Sequence, residues 1–177
     1  MSKTINTRTI TVGAMIMALY TALCLALAPL SYGVVQVRAA EALTVLAVYS
    51  PLAGVGLTLG CALSNLVGFL TGQNPLVLDI FFGTFATGIA AWMSWMLRKV
   101  RWKGLPVAST LPPVLVNALV IGLELTWLEN GGPAVFALNA ASIAAGQALS
   151  CMVLGLLLFS LLDRTGVGNK LFGLAAK

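Results

Sequence analysis

The side chains best suited to chemistry in this chain are Arg38 and Glu41, one helical turn apart in the stretch YGVVQVRAAEALTVL. Charges inside apolar sequence are costly, and in membrane proteins they commonly mark a binding site or an ion pathway. A guanidinium donates hydrogen bonds to carbonyl and carboxylate groups, whereas a glutamate accepts them from N–H groups. The alternative is an interfacial pair whose charged ends reach water and bind nothing.

Other polar residues interrupt the apolar segments and predict a shared pocket. Asn117 precedes Glu124 by seven residues, and Asn139 precedes Gln147 by eight, so each pair lies on one helix face. A single amide of this kind is as well explained by a hydrogen bond between helices. The candidate substrate-binding residues are Gln36, Arg38, Glu41, Asn65, Asp79, Asn117, Glu124, Asn139 and Gln147.

The formal charge of this set indicates the type of ligand. Glu41, Asp79 and Glu124 oppose the single cation Arg38, so the set is negative overall. A negative, amide-rich pocket suits a small cationic or N–H-rich molecule. An anionic ligand would require more basic residues.

The composition indicates an integral membrane protein. The 177 residues are 59% hydrophobic and 8% charged, with a mean hydropathy of +0.99, whereas soluble domains are about half apolar. The chain contains no histidine, and Cys24, Cys61 and Cys151 lie singly in apolar runs, so we expect no metal and no cofactor. The net charge of +5 is scattered between apolar runs, which suits membrane topology better than nucleic-acid binding.

Six apolar runs predict an all-α protein with six transmembrane helices in a single domain, residues 1–177. The runs cover 10–30, 39–49, 51–70, 76–97, 108–128 and 137–162. The second run would reach only about 16 Å as an α-helix, roughly half of the hydrocarbon core. The alternative is one long helix over 39–70 with a kink at Pro51.

Charge distribution favours six spans over five. With both termini cytoplasmic, six spans place nine of the ten basic residues inside, as the positive-inside rule prefers. Five spans would put the basic cluster at 98–103 outside. The short second helix must then be covered by the preceding loop, Ser31–Arg38, since irregular backbone at membrane depth lines a cavity or is buried in protein. The sequence thus predicts a pocket at the outer end of the first three helices.

The first helix carries a stripe of small side chains. Ala14, Ala18, Ala22 and Ala26 repeat every four residues along one face. Such spacing lets another helix approach closely, either within this domain or from a partner. Because the stripe runs along nearly the whole helix, it favours an external partner.

Three segments together resemble the QueT family, the substrate-binding (S) components of energy-coupling factor (ECF) transporters associated with queuosine precursors. The matching residues are Gln36-x-Arg38-x-x-Glu41-Ala42-Leu43-Thr44, Gly60-Cys61 with Asn65, and Asp79-Ile80 with Gly83. The resemblance implies six membrane helices and an alanine face on the first helix that contacts a transmembrane coupling subunit. It also implies an ATPase pair as energy source and a deazaguanine with an aminomethyl group as substrate.

The chain departs from the family pattern at two positions. Ala47 stands where a proline commonly follows EALTVL, and Gly146-Gln147 stands where the last helix usually has a glycine–glutamate pair. The loss of that acid bears on the identity of the substrate more than on family membership.

Other functional classes have less support in the sequence. An intramembrane enzyme would need a nucleophile–base pair or a metal site, and the chain offers only scattered carboxylates. A stand-alone proton-coupled carrier would use Glu41 or Glu124 as its relay. An S component for another vitamin-like cation is also open. We expect a multi-pass protein of the bacterial cell membrane, in contact with lipid, that is not an enzyme and has no ATP-binding loop of its own.

Overall fold

The computed structural model describes residues 7–31 and 37–172, and these are helical almost throughout. The elements are α1 (Thr7–Ala26), α2 (Ala28–Ser31), a 3₁₀ helix (Ala39–Val48), α3 (Pro51–Leu70), α4 (Asp79–Met96), a 3₁₀ turn (Leu97–Lys99), α5 (Val107–Leu128), α6 (Pro133–Gln147), a π-helical segment (Ala148–Leu154), α7 (Gly155–Arg164) and α8 (Val167–Leu171). Trp102 and Leu105 form an isolated β-bridge between α4 and α5.

Five helices of the described chain are long and apolar enough to cross a membrane. They are Thr7–Ala26, Pro51–Leu70, Asp79–Lys99, Val107–Leu128 and Pro133–Arg164. The last reaches 32 residues because α6, the π segment and α7 are continuous. The protein is therefore an all-helical, multi-pass membrane protein. That the chain has a sixth membrane span, and that both of its termini are cytoplasmic, stay predictions.

The predicted break between the second and third apolar runs lies at Ser50, whose backbone is extended (φ −156°, ψ 138°). The Ser50 side chain accepts a hydrogen bond from the backbone N–H of Leu52, and Pro51 occupies the first helical position. The alternative of one long helix over 39–70, kinked at Pro51, is wrong. The short second helix is a separate element.

This short helix is of the 3₁₀ type and forms the centre of the bundle. Nine of its ten residues, Ala40–Val48, are buried, and it packs against α1, α3, α4, α5, α7 and the π segment. At a rise of about 2 Å per residue it reaches roughly 20 Å, still short of a full span. The Thr44 hydroxyl donates to the Glu41 carbonyl at 2.7 Å, a contact that supports the tight i to i+3 turn. The surrounding helices shield the backbone of this short helix from lipid, where its unpaired polar groups would be costly.

Glycines bring α1 and α3 into backbone contact. A Cβ atom at Gly56 would lie 2.6 Å from the carbonyl oxygen of Gly13, and one at Gly60 would lie 2.9 Å from Cβ of Tyr20. Residues without side chains are therefore required on α3 for α1 to lie at this distance. The contact directs Tyr20 towards the 3₁₀ helix.

Aromatic packing fixes the end of the 3₁₀ helix that lies opposite Arg38. The ring of Tyr49 stacks on Phe159 and on Phe172, with 5.5 Å between ring centroids in each pair. Gly168 in α8 makes room for Tyr49, because a Cβ atom there would lie 2.6 Å from the ring. The 3₁₀ helix is thus anchored at one end and carries its charged residues at the other.

Candidate functional site

Arg38 lies in the functional site, where it is buried and forms an ion pair. It is only 1% exposed, and its Nη2 atom donates to Oδ2 of Asp79 at 2.9 Å. Asp79 is also 1% exposed and is the first residue of α4, where the helix dipole favours an acid. The interpretation of Arg38 as an interfacial cation that reaches water is therefore wrong. Its ion-pair partner is Asp79 rather than its neighbour in sequence, Glu41.

Two asparagines hold Asp79 in place. The Asn74 side chain donates from Nδ2 to the same carboxylate oxygen, Oδ2, at 3.1 Å. The Asn65 side chain donates to the backbone carbonyl of Asp79 at 2.8 Å. Gly83, one turn further along α4, allows this arrangement, since a Cβ there would lie 2.8 Å from Asn65 Nδ2 and 3.2 Å from Arg38 Nη1.

Glu41 is held in the same manner by two hydroxyl groups. The Tyr20 hydroxyl, from α1, donates to Oε1 of Glu41 at 2.6 Å, and the Thr87 hydroxyl, from α4, donates to the same oxygen at 3.1 Å. All three residues are fully buried. The backbone carbonyl of Glu41 also accepts from the thiol of Cys151 at 3.5 Å. Four elements therefore meet at this one glutamate.

Each of these two carboxylates keeps its second oxygen without a partner. Oε2 of Glu41 and Oδ1 of Asp79 are buried and accept no hydrogen bond from the described residues. An unpaired buried acceptor costs about 1–3 kcal/mol or more when charged, so such groups commonly mark places where a ligand or an ordered water binds. One oxygen of each acid is thus fixed by the protein and the other is available.

Helix α5 contributes further acceptors of the same kind. Glu124 is 3% exposed, and neither of its carboxylate oxygens accepts a hydrogen bond from an N–H or O–H group of the described residues; the same is true of Oδ1 of buried Asn117. The Asn117 amide nitrogen donates to the Pro113 carbonyl at 2.9 Å, which directs the side chain along the helix. Glu124 faces Asp79 and lies within electrostatic range of Arg38. Two negatively charged carboxylates repel each other, so their approach favours a cation or an N–H donor between them.

Gln147 joins the site through a cysteine. It is 1% exposed at the end of α6, and its Oε1 accepts from the Cys151 thiol at 3.5 Å, the thiol that also contacts the Glu41 carbonyl. Both residues flank or lie in the π-helical segment, a departure from α geometry that is frequent at functional sites.

Two predicted residues are not part of this cluster. Asn139 is partly exposed in the middle of α6, where its amide donates to the exposed carboxylate of Glu129 at 3.1 Å. Gln36 lies outside the described residues, as does most of the loop that we expect to cover the short helix. The two ends of that loop lie together, because the Val37 N–H donates to the Leu30 carbonyl at 3.0 Å.

Sequence reasoning missed three residues that fix the two acids: Tyr20, Asn74 and Thr87. Tyr20 had a usable signal, since it lies two residues from Ala18 and Ala22, about 200° around the helix from the alanine stripe. Asn74 precedes Pro75 in a loop, and Thr87 is one of two threonines in α4. For these two residues, only the packing of α4 against the 3₁₀ helix reveals the role.

The alanine stripe on α1 faces away from the rest of the bundle. Ala14, Ala18, Ala22 and Ala26 are all exposed, whereas Val12, Ile16, Tyr20, Thr21 and Cys24 form the buried face of the helix. The stripe therefore stays exposed in the described part of the chain, although Ala14 borders the groove between α1 and α3. Docking of an external partner on this face stays a prediction.

The arrangement is a buried, acceptor-rich site with one internal ion pair. Its unpartnered atoms are carboxylate and amide oxygens, which bind N–H donors and cations. Within the described ranges, no group of three or more histidine, cysteine, aspartate or glutamate side chains is placed to hold a metal ion. The site is suited to recognising a small molecule that is rich in hydrogen-bond donors.

A multi-pass membrane protein with a buried polar site is the class that the fold and the site define. The family model described as "QueT transporter" matches residues 10–164, most of the chain, so the chain belongs to the QueT transporter family. The resemblance seen in the sequence is thereby confirmed, and the protein is a membrane transport protein. No curated protein and no solved structure gives a significant match.

Proposed function

We propose that this chain is the S component of an ECF transporter of the bacterial cell membrane, and that it captures a queuosine precursor for ATP-driven uptake. Membership of the QueT transporter family supports transport as the general function. The observation that carries the proposal is the hydrogen bonding of two carboxylates, those of Glu41 and Asp79. Each has one oxygen that accepts hydrogen bonds from two protein donors and one buried oxygen that accepts none from the described residues.

An aminomethyl deazaguanine fits this set of acceptors. Its guanine-like edge offers a ring N–H and an amino group at fixed positions, which suits carboxylates that are themselves held in one orientation. Its ammonium group donates in several directions, which suits Glu124, where both oxygens lack a partner. We assign Glu41 and Asp79 to the heterocycle and Glu124 to the ammonium. Asn117 adds an amide oxygen on the same helix face as Glu124.

Charge gives the site its preference for cations. Glu41, Asp79 and Glu124 carry three formal negative charges, and Arg38 supplies one positive charge, all in a buried region. A ligand with one positive charge reduces the imbalance, whereas an anion increases it. The site therefore selects against the negatively charged metabolites that are abundant in cells.

The exposed alanine face of α1 supports an external partner. We propose that Ala14, Ala18, Ala22 and Ala26 dock against the transmembrane coupling subunit of the ECF module, which in turn associates with the ATPase pair. The stripe is exposed along the length of the helix, and small residues permit the close helix contact that association in a membrane requires.

A matched pair of variants tests the binding proposal. Glu41→Gln keeps the shape of the side chain but places an amide N–H₂ where a ligand donor would bind, so we expect affinity for aminomethyl deazaguanine to fall about 10- to 100-fold. Glu129→Gln makes the same chemical change at an exposed glutamate and should leave the affinity unchanged. The measurement is isothermal titration of each purified variant. Equal affinities for the two variants would contradict the assignment of Glu41.

A transport assay separates capture from the stand-alone carrier. Proteoliposomes that contain this chain alone should not accumulate the ligand under a proton gradient, because capture without a coupling module supplies no driving force. Accumulation under these conditions would instead support a proton-coupled carrier with Glu41 or Glu124 as the relay.

A further inference from the structure

Helix α1 connects the buried site with the exposed alanine face. Tyr20 points into the bundle and is fully buried, while Ala18 and Ala22, two residues away on either side, are exposed. Two residues correspond to about 200° of rotation, so the two faces lie on opposite sides of the helix. A displacement of Tyr20 along or across the helix axis is therefore also a displacement of the alanine face.

The contact between Tyr20 and the site is short and direct. The phenol hydroxyl donates to Oε1 of Glu41 at 2.6 Å, in the range of strong hydrogen bonds to a carboxylate. The other oxygen of the same carboxylate, Oε2, is the one we assign to the ligand. A ligand that binds Oε2 turns or shifts the carboxylate, and Oε1 moves with it because the group is rigid.

The packing of α1 leaves Tyr20 little room to absorb such a shift alone. Its Cβ atom lies so close to Gly60 of α3 that a Cβ at Gly60 would be only 2.9 Å away. On the other hand, α1 has the smallest buried share of the five long helices in the described chain. A helix that is held on one side and free on the other moves most easily as a unit, by sliding against its neighbour.

We propose that Tyr20 is a positioning residue that transmits occupancy of the Glu41 site to the exposed alanine face of α1. The inference rests on the proposed function in that the site must bind the ligand. It adds that the ligand-bound and ligand-free forms present different α1 surfaces to the transmembrane coupling subunit proposed to dock there. The coupling subunit then distinguishes loaded from empty protein without touching the ligand.

A fluorescent label on the exposed face reads this change directly. Ala18→Cys can be labelled selectively with an environment-sensitive dye such as bimane, because the native Cys24, Cys61 and Cys151 are each 1% exposed. We expect aminomethyl deazaguanine to shift the emission of the labelled full-length chain in nanodiscs. In Tyr20→Phe, which keeps the ring and loses only the hydroxyl, the shift at saturating ligand should disappear.

Two control variants separate this role from general packing. Thr21→Val removes the neighbouring hydroxyl of α1, which donates to the Gly60 carbonyl at 3.2 Å, and should keep the shift. A label at Leu115→Cys, on an exposed position of α5, should show no shift in any background.

The outcomes decide between the inference and the proposed function. A full shift in saturated Tyr20→Phe would overturn the inference, as would loss of the shift in Thr21→Val. If the wild-type chain binds the ligand but the label at position 18 does not respond, this inference alone fails. If the wild-type chain does not bind the ligand at all, the proposed function fails and the inference fails with it.

Discussion

Replacement of Arg38 by methionine should destabilise the folded protein strongly, because Asp79 would keep a buried carboxylate without its cation. Both residues are 1% exposed and their charged atoms lie 2.9 Å apart. Removal of one partner of a buried ion pair costs about 3–5 kcal/mol. For a chain of this size, each kcal/mol lowers the melting temperature by about 2–4 °C, so the expected decrease is about 6–20 °C.

A double-mutant cycle tests the physical reason for this loss. Asp79→Asn alone removes the carboxylate that lies 2.9 Å from the buried guanidinium and should also be destabilising. The double variant Arg38→Met, Asp79→Asn has neither charge and should recover most of the loss. The readout is thermal unfolding followed by tryptophan fluorescence in a single detergent. Arg164→Met and Asp163→Asn, at exposed positions of α7, make the same changes and should shift stability by no more than about 0.5 kcal/mol.

Two results would contradict this explanation. One is an Arg38→Met variant that melts within the range of the exposed controls, which would mean that the pair is accessible to water. The other is a double variant that loses the sum of the two single losses, which would mean that the two residues act independently.

Further predictions concern a glycine of the site, the docking face and transport. Gly83→Ala should lower ligand affinity, because the new methyl group would lie 2.8 Å from the Asn65 amide. Gly88→Ala on the same helix places its methyl group at an ordinary 3.4 Å from its neighbours and should be tolerated. Titration of both variants with the ligand measures the two affinities. The double variant Ala18→Leu, Ala22→Leu should lose co-purification with a coupling module while ligand binding persists, and retained co-purification would show that α1 is not the docking face. Addition of that module with ATP should convert proteoliposomes from binding to accumulation of ligand, and accumulation without ATP would contradict the energy source.

The sequence predicted the helices well because their signals are local. Apolar runs of about 20 residues gave the five long helices, and Ser50-Pro51 gave the separation of the short helix from α3. The apolar run 76–97 corresponds to α4, which begins at Asp79. The sequence did not reveal that the short helix is of the 3₁₀ type, because that geometry depends on the helices packed around it.

The site was predicted only in part, because sequence reveals which residues are polar but not which of them meet in space. Charges inside apolar segments are recognisable from sequence, and Arg38, Glu41, Asp79 and Glu124 are all buried together. The pairing within this group was not predictable, because Arg38 bonds across 41 residues of chain to Asp79. Hydroxyl donors such as Tyr20 are hard to find because a lone polar group in an apolar helix has many explanations.

Titration of the purified wild-type chain with aminomethyl deazaguanine, without ATP or any partner, measures substrate capture itself. We expect binding with a dissociation constant below about 1 μM, and binding weaker by tenfold or more when the amine of the ligand is acetylated, because the acetylated group carries no charge for Glu124. Equal affinity for the charged and acetylated ligands would contradict the role given to the buried acids. The absence of binding by any purine-like ligand would contradict the substrate assignment.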